Sequence, residues 1–168
     1  MINKIYKSML ITGAADGIGY NLLNRLFNEK LKIYAVDKKI KKLEKIKFRK
    51  NIEIIKLDLA NTNEIYKKLS KLKIDILVCN AGIGKGVGGL LSATKKDIEI
   101  SSKINVESNL HLLKAVVPGM VKRRKGHVLL MGSLAGLYPV NTAVYGGQKG
   151  AIHRIAQSLR VELSGSRV

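Results

Sequence analysis

Apolar residues along the chain fall into five short runs, separated by longer stretches in which they recur at helical spacing. Met9-Leu10-Ile11, Lys32-Ile33-Tyr34-Ala35-Val36, Ile52 to Leu57, Ile74 to Cys79 and His127-Val128-Leu129-Leu130 each read as a strand. Runs this short and this apolar suit strands buried in a parallel sheet. Leu22, Leu23, Leu26 and Phe27 follow the first run with helical spacing, and Ile152, Ile155, Ala156, Leu159 and Leu163 share one helical face near the end. The lysine-rich stretches Lys38 to Lys50 and Lys67 to Lys73 predict solvated helices, and a long helix containing Asn105 precedes the fifth strand. Glu162 to Val168 reads as a helix end followed by the first residues of another strand. Strand and helix alternate throughout, which predicts an α/β fold. No linker or repeat interrupts the pattern, so residues 1–168 form a single domain.

Between the first strand and the first helix lies Thr12-Gly13-Ala14-Ala15-Asp16-Gly17-Ile18-Gly19. A glycine-rich turn in this position reads as a dinucleotide cradle, with an ordinary turn of an α/β protein as the alternative on this motif alone: Gly13 would allow a sharp turn, Gly17 would let backbone amides approach a pyrophosphate, and Gly19 would let the helix pack close to the sheet. The helix N-terminus then faces the phosphates. Asp37 closes the second strand 18 residues after Gly19, where a carboxylate can accept from the adenosine ribose hydroxyls. It would repel the 2′-phosphate of NADP, so NAD is favoured. Lys38 and Lys39 follow at once and could serve that phosphate, which keeps NADP as the alternative. Asp37 could equally cap a helix formed by the lysine-rich segment.

The G-x-x-x-G-x-G spacing after Thr12 resembles the short-chain dehydrogenase/reductase family, and four further stretches support the resemblance in order. Asp58-Leu59, after the third strand, looks like the family's adenine-ring contact. Asn80-Ala81-Gly82, after the fourth, resembles its NAG signature. Ser133, in Ser133-Leu134-Ala135-Gly136, stands 12 residues before Tyr145, and Tyr145 to Lys149 matches Y-x-x-x-K. The resemblance covers Ser8 to Val168. It implies a Rossmann-type doubly wound parallel sheet with strand order 3-2-1-4-5, lacking the family's last strands. It further implies an oxidoreductase that transfers a hydride between NAD(P)(H) and a secondary alcohol or ketone. Thr12, Gly13, Asp16, Gly17, Ile18, Gly19, Asp37, Asp58, Leu59, Asn80, Ala81, Gly82, Tyr145 and Lys149 would bind the cofactor. Ser133, Tyr145 and Lys149 would carry the chemistry, and Asn105, in Ile104-Asn105-Val106, resembles the family's fourth catalytic residue. Asn105 could instead be a solvent-facing helical residue, and Ser133 a plain turn serine.

The Y-x-x-x-K match needs its context. With 6 tyrosines and 24 lysines in 168 residues, about one match is expected by chance, and a second one, Tyr34 to Lys38, does occur. It spans a strand end and a loop, where a spacing of four brings no side chains together. Tyr145 and Lys149 open a helix, where that spacing places them on one face. A free tyrosine titrates near ~10, and an adjacent ammonium favours the phenolate. Ser133 could hydrogen-bond the substrate oxygen as alkoxide charge develops. Gly146 and Gly147 stand where the family carries alanine- or serine-like residues, and Gln148 precedes the lysine. Helical glycines cost roughly 1 kcal/mol each relative to alanine, so the start of this helix should depend on tertiary packing.

Composition sets the outer bounds. At 46% apolar residues the chain can bury a core, and its apolar runs are far below the length that spans a bilayer. A cytoplasmic location is expected, with a small-molecule alcohol or carbonyl partner and no membrane partner. Cys79 alone excludes an intramolecular disulfide and, at a buried strand end, reads as an inert thiol. His111, His127 and His153 show no metal-ligand spacing. The formal charge of +19 would attract nucleic acid. Against that, the 24 lysines and 7 arginines are scattered, no nucleic-acid module is present, and only Lys122-Arg123-Arg124-Lys125 is compact, in an expected solvent-exposed turn. Nucleic acid is therefore the minority partner. The resemblance also implies that the family's later strands, substrate lid and oligomer surface fall beyond Val168. A fragment or truncated product is thus expected, marginally stable and self-associating, with a homo-oligomer expected for a full-length form. The alternatives are a non-catalytic dinucleotide-binding module, or an inactive fragment of such an enzyme.

Overall fold

The computed structural model describes residues 5–26 and 28–168. Phe27 therefore lies outside the described residues. Five strands, β1 (Ser8–Thr12), β2 (Lys32–Asp37), β3 (Ile52–Lys56), β4 (Ile76–Cys79) and β5 (His127–Leu130), form one sheet in the order β3-β2-β1-β4-β5. Every neighbouring pair is parallel. β1 is central and buried along its whole length, which is why Met9-Leu10-Ile11 shows no polar alternation.

Helices cover both faces. α1 (Gly17–Leu26) and the single turn α2 (Lys41–Glu44) lie on one side, α3 (Thr62–Leu69) and α5 (Ser108–Arg123) on the other. Between them in sequence come α4 (Lys95–Ser102) and, after β5, α6 (Ala143–Glu162). Successive strand residues point to opposite faces. Met9 and Ile11 pack with Leu23 and Leu43, while Leu10, Leu77 and Cys79 pack with Ile65, Leu69, Leu112 and Met120. The apolar stripe of α6, Ile155, Leu159 and Leu163, lies partly buried against this second core.

Four sequence expectations are corrected. The lysine-rich stretch 38–50 forms only the four-residue α2, because Leu43 is its one fully buried apolar side chain and seven lysines repel one another along it. The helix over Lys67 to Lys73 ends at Leu69. The residues after Glu162 form turns rather than a strand, with Gly165 at φ 79° and Arg167 at φ 65°. The turn 122–125 is not simply solvated: Arg123 and Lys125 lie 3.6 and 3.5 Å from the carboxylate of Asp75, which is 2% exposed.

The long helix containing Asn105 is also not uniform. Between α4 and α5 the backbone widens into a π-helical turn, Lys103–Glu107, with Ile104 and Asn105 buried. Such turns break the regular ladder and often mark functional positions.

Candidate active site

β2 lies on one side of β1 and β4 on the other, and the helices that follow β1 and β4 pack on opposite faces of the sheet. The C-terminal ends of these two strands are where open α/β sheets place a ligand. A cleft of about 670 Å³ opens there. Gly13, Asp16, Gly17 and Ile18 line it after β1, Asp37 and Lys38 after β2, and Asp58 and Leu59 after β3. Asn80 to Gly84 line it after β4, Met131 and Gly132 after β5, and Tyr145 and Lys149 from α6.

The glycine turn has the backbone expected of it. Gly13 at φ 65° and Gly17 at φ 52° adopt left-handed conformations that a Cβ disfavours. A Cβ on Gly19 would lie 2.3 Å from the Gly13 carbonyl oxygen, so this glycine lets α1 close onto the turn. α1 begins at Gly17, and its free amides can hold an anion. Asp16 would oppose one, but Lys42 bonds it at 2.7 Å and holds its carboxyl below the usual carboxylate range.

Two of the expected cofactor residues stand behind the wall rather than on it. Thr12 is fully buried, and its Oγ1 accepts from the amides of Asn80 and Ala81, both at 3.1 Å. It fastens β1 to the turn after β4. Gly19 is a packing residue for the reason given above. Asn80 lines the cleft and also donates to the carbonyls of Thr12 and Gly13, at 3.0 and 3.3 Å.

Asp37 reaches the cleft, and its two oxygens accept from the amides of Ala15 at 3.0 Å and Lys39 at 2.9 Å. The capping alternative is thus realised only as a turn, since α2 starts at Lys41 with no side-chain cap.

At the opposite end, the Lys149 Nζ stands 5.8 Å from the centre of the Tyr145 ring and donates to the Met131 carbonyl at 2.7 Å. Burial lowers the pKa of this ammonium. The other Y-x-x-x-K match leaves Tyr34 on a strand of the first three, away from α6. Ser133 follows the cleft-lining Gly132, and its Oγ accepts from the Ala135 amide at 3.2 Å, capping a short 3₁₀ turn, Leu134–Gly136. Asn105 is 1% exposed rather than solvent-facing. Its Oδ1 accepts from the Ile83 amide at 2.8 Å, and its Nδ2 donates to the Ile83 carbonyl at 2.9 Å. Cys79, buried at the end of β4, has its thiol pKa pushed up to about 12 by desolvation.

Sequence reasoning did not single out His153 or assign a role to Gln148. His153 Nε2 lies 3.0 Å from the Ser133 carbonyl oxygen, and Gln148 bonds Asn105 at 2.8 Å. Both lie on α6, where only His153, four residues after Lys149, shares a helical face with that lysine. Among the described residues, no helix is long and apolar enough to cross a membrane.

Comparison with known proteins agrees with this geometry. The family model described as short chain dehydrogenase matches residues 7–168. An uncharacterized short-chain type dehydrogenase/reductase of Sinorhizobium fredii, y4eK, is 34% identical over 95% of this chain and 65% of its own length. The NADP-dependent 3-hydroxy acid dehydrogenase YdfG of Escherichia coli is 33% identical over 95% of this chain and 68% of its own. The chain thus spans about two thirds of the length of these relatives. The crystal structure of serine dehydrogenase from Escherichia coli superposes with a TM-score of 0.88 at 32% identity, covering 94% of this chain and 77% of that one. Sheet order, ordered signatures and these matches agree, and the chain belongs to the short chain dehydrogenase family.

Proposed function

We propose that the cleft binds a nicotinamide dinucleotide and that the site serves hydride transfer between it and a secondary alcohol or ketone. The observation that carries this reading is the pairing of Tyr145 with Lys149 at one end of a cleft whose other end presents Asp37. A pyrophosphate fits the Gly13 to Gly17 turn, an adenosine the Asp37, Asp58 and Leu59 end, and a nicotinamide the end at Tyr145. When bound, the cofactor supplies the hydride for carbonyl reduction and accepts it in alcohol oxidation.

The chain's own groups handle the proton. In reduction, the Tyr145 hydroxyl gives its proton to the carbonyl oxygen, and the positive charge of Lys149 stabilises the phenolate left behind. In oxidation the proton returns. Ser133 Oγ is the hydrogen-bond partner for the substrate oxygen, and Lys149, held by the Met131 carbonyl, also grips the nicotinamide ribose. Asn105 acts from behind, by fixing Ile83 beside that ribose.

Asp37 favours NAD over NADP, and the likeness to an NADP-dependent 3-hydroxy acid dehydrogenase favours a hydroxy acid or its keto form as substrate. Fluorescence titration with NADH tests binding. Tyr145→Phe should leave NADH affinity within about twofold yet lower turnover by at least about 100-fold, whereas Lys149→Ala damages both. Substantial turnover in Tyr145→Phe would remove its acid–base role.

A further inference from the structure

Gln148 has no part in the chemistry above, yet it is 8% exposed and both ends of its amide are bonded. Its Oε1 accepts from Asn105 Nδ2 at 2.8 Å. Its Nε2 donates to Ser101 Oγ at 2.8 Å and to Ser102 Oγ at 3.2 Å. The Ser101 hydroxyl in turn donates to the Asp97 carbonyl at 2.6 Å.

This side chain meets Asn105 where the backbone around Asn105 is least regular. The turn Lys103–Glu107 that holds Asn105 is π-helical rather than α-helical, and the Asn105 carbonyl accepts from Asn109 Nδ2 at 2.8 Å. Two other residues grip its side chain, Ile83 from the turn after β4 and Gln148 from α6. The grip matters for the cleft, because Ile83 lines it. Gly82, one residue earlier, lies between the groups concerned: a Cβ there would stand 3.3 Å from Asn105 Oδ1 and 3.6 Å from Lys149 Nζ.

We infer that Gln148 is a positioning residue, which fixes Asn105 and through it the Ile83 wall of the cleft in register with Lys149, its neighbour on α6. The inference rests on the reading of the cleft as the nucleotide site only for its consequence in binding. The mechanical link stands on the hydrogen bonds themselves. Without the Oε1 acceptor, one N–H of Asn105 is buried and unpaired, and the asparagine loses its tie to α6. The cost is local, because Ile83 still has a core strand behind it.

The test compares amide hydrogen exchange at Ile83 with that at Leu10 and Ile11 in β1, by NMR on the nucleotide-free protein. In Gln148→Met, of similar volume and with no strong acceptor, Ile83 exchange should rise about fivefold relative to the β1 amides, the ratio expected for one neutral hydrogen bond. In Gln148→Glu it should stay within about twofold, because a carboxyl oxygen in either protonation state still accepts from Asn105 Nδ2. Asn105→Ala should raise it further, and adding Gln148→Met to that variant should raise it no more.

Unchanged Ile83 exchange in Gln148→Met, or equal acceleration in the Met and Glu variants, would overturn the inference, as would additive effects in the double variant. If Gln148→Met does not fold, Gln148→Glu decides, with retained protection supporting the role and lost protection overturning it. NADH affinity should fall about fivefold in the Met variant and stay within about twofold in the Glu variant. Failure of NADH to bind the unsubstituted protein would overturn the functional reading, and the exchange result would still decide the role of Gln148.

Discussion

The carboxylate of Asp37 accepts a hydrogen bond from the Ala15 amide at 3.0 Å, so the acid at the end of β2 is fastened to the glycine turn after β1. One residue therefore braces the glycine turn and sets the charge at the β2 end of the cleft. Its second oxygen, bonded to the Lys39 amide at 2.9 Å, fixes where Lys38 and Lys39 leave the strand.

Asp37→Ser removes the negative charge but keeps one hydroxyl for the Ala15 amide. The ratio of NADPH to NADH affinity should rise by at least about tenfold, ~1.4 kcal/mol, because repulsion of a 2′-phosphate disappears while Lys38 and Lys39 remain. Folding stability should fall by about 1–3 kcal/mol through the lost charge-assisted bonds. Paired titrations with the two nucleotides and a urea melt measure both. A wild-type protein that already prefers NADPH would show that the lysines govern this end.

The strands and the glycine turn were legible because each depends on local pattern, whereas the strand order and most of the cleft lining followed only from the family resemblance. Short apolar runs name buried strands, and glycines at fixed offsets name a turn with left-handed backbone. A signature does not say which way a side chain points, and the Thr12 hydroxyl turns inward to the amides of Asn80 and Ala81. The π-helical turn at Asn105 and the bonds of Gln148 and His153 were illegible for a different reason. They arise where α6 meets segments more than 15 residues away in sequence, and no period within one element encodes them. The lysine-rich stretch 38–50 forms only a single turn because it lacks the apolar face that makes a helix stable in a protein.

Asp75 illustrates the same long-range effect at the opposite end of the sheet. It is 2% exposed, accepts from the Lys7 amide at 2.9 Å, and faces Arg123 and Lys125 at 3.6 and 3.5 Å. Asp75→Ala should cost about 3 kcal/mol, because it leaves the half-buried Arg123 without its counter-charge. For a chain of this length that lowers Tm by roughly 6–12 °C. Calorimetry at neutral pH checks it, and a loss below about 1 kcal/mol would mean that solvent already compensates these cations.

The two adjacent glycines at the start of α6 should respond in opposite directions. A Cβ on Gly146 would lie 2.8 Å from the Ala135 carbonyl oxygen, whereas one on Gly147 meets nothing within 4 Å. Gly147→Ala should therefore stabilise the protein by about 0.5–1 kcal/mol, the ordinary helical gain. Gly146→Ala should destabilise it, because α6 must move off the Leu134–Gly136 turn that carries Ser133. Urea midpoints of the two variants decide the matter, and similar shifts for both would show that the contact with Ala135 is easily relaxed.

Lys149 should behave as a residue that the fold tolerates for the sake of its site. It is 5% exposed, its Nζ donates to the Met131 carbonyl at 2.7 Å, and among the described residues no carboxylate pairs with it. Burial lowers its pKa from the ordinary 10.5. As pH rises between that lowered value and 10.5, the unfolded chain retains a proton that the folded one has released, so this group's contribution to stability increases with pH. Below the window both states are charged, and the cost of burying the ammonium is present in full. Lys149→Met should therefore stabilise the nucleotide-free protein at pH 7 by about 1 kcal/mol, or ~3 °C in Tm. That advantage should shrink as pH is raised through the window, while NADH affinity falls at least about tenfold at pH 7. Denaturation of both proteins across this pH range, beside NADH titration, measures the opposition directly. A Met variant less stable than wild type at pH 7 would mean that the bond to Met131 more than offsets the burial of the charge.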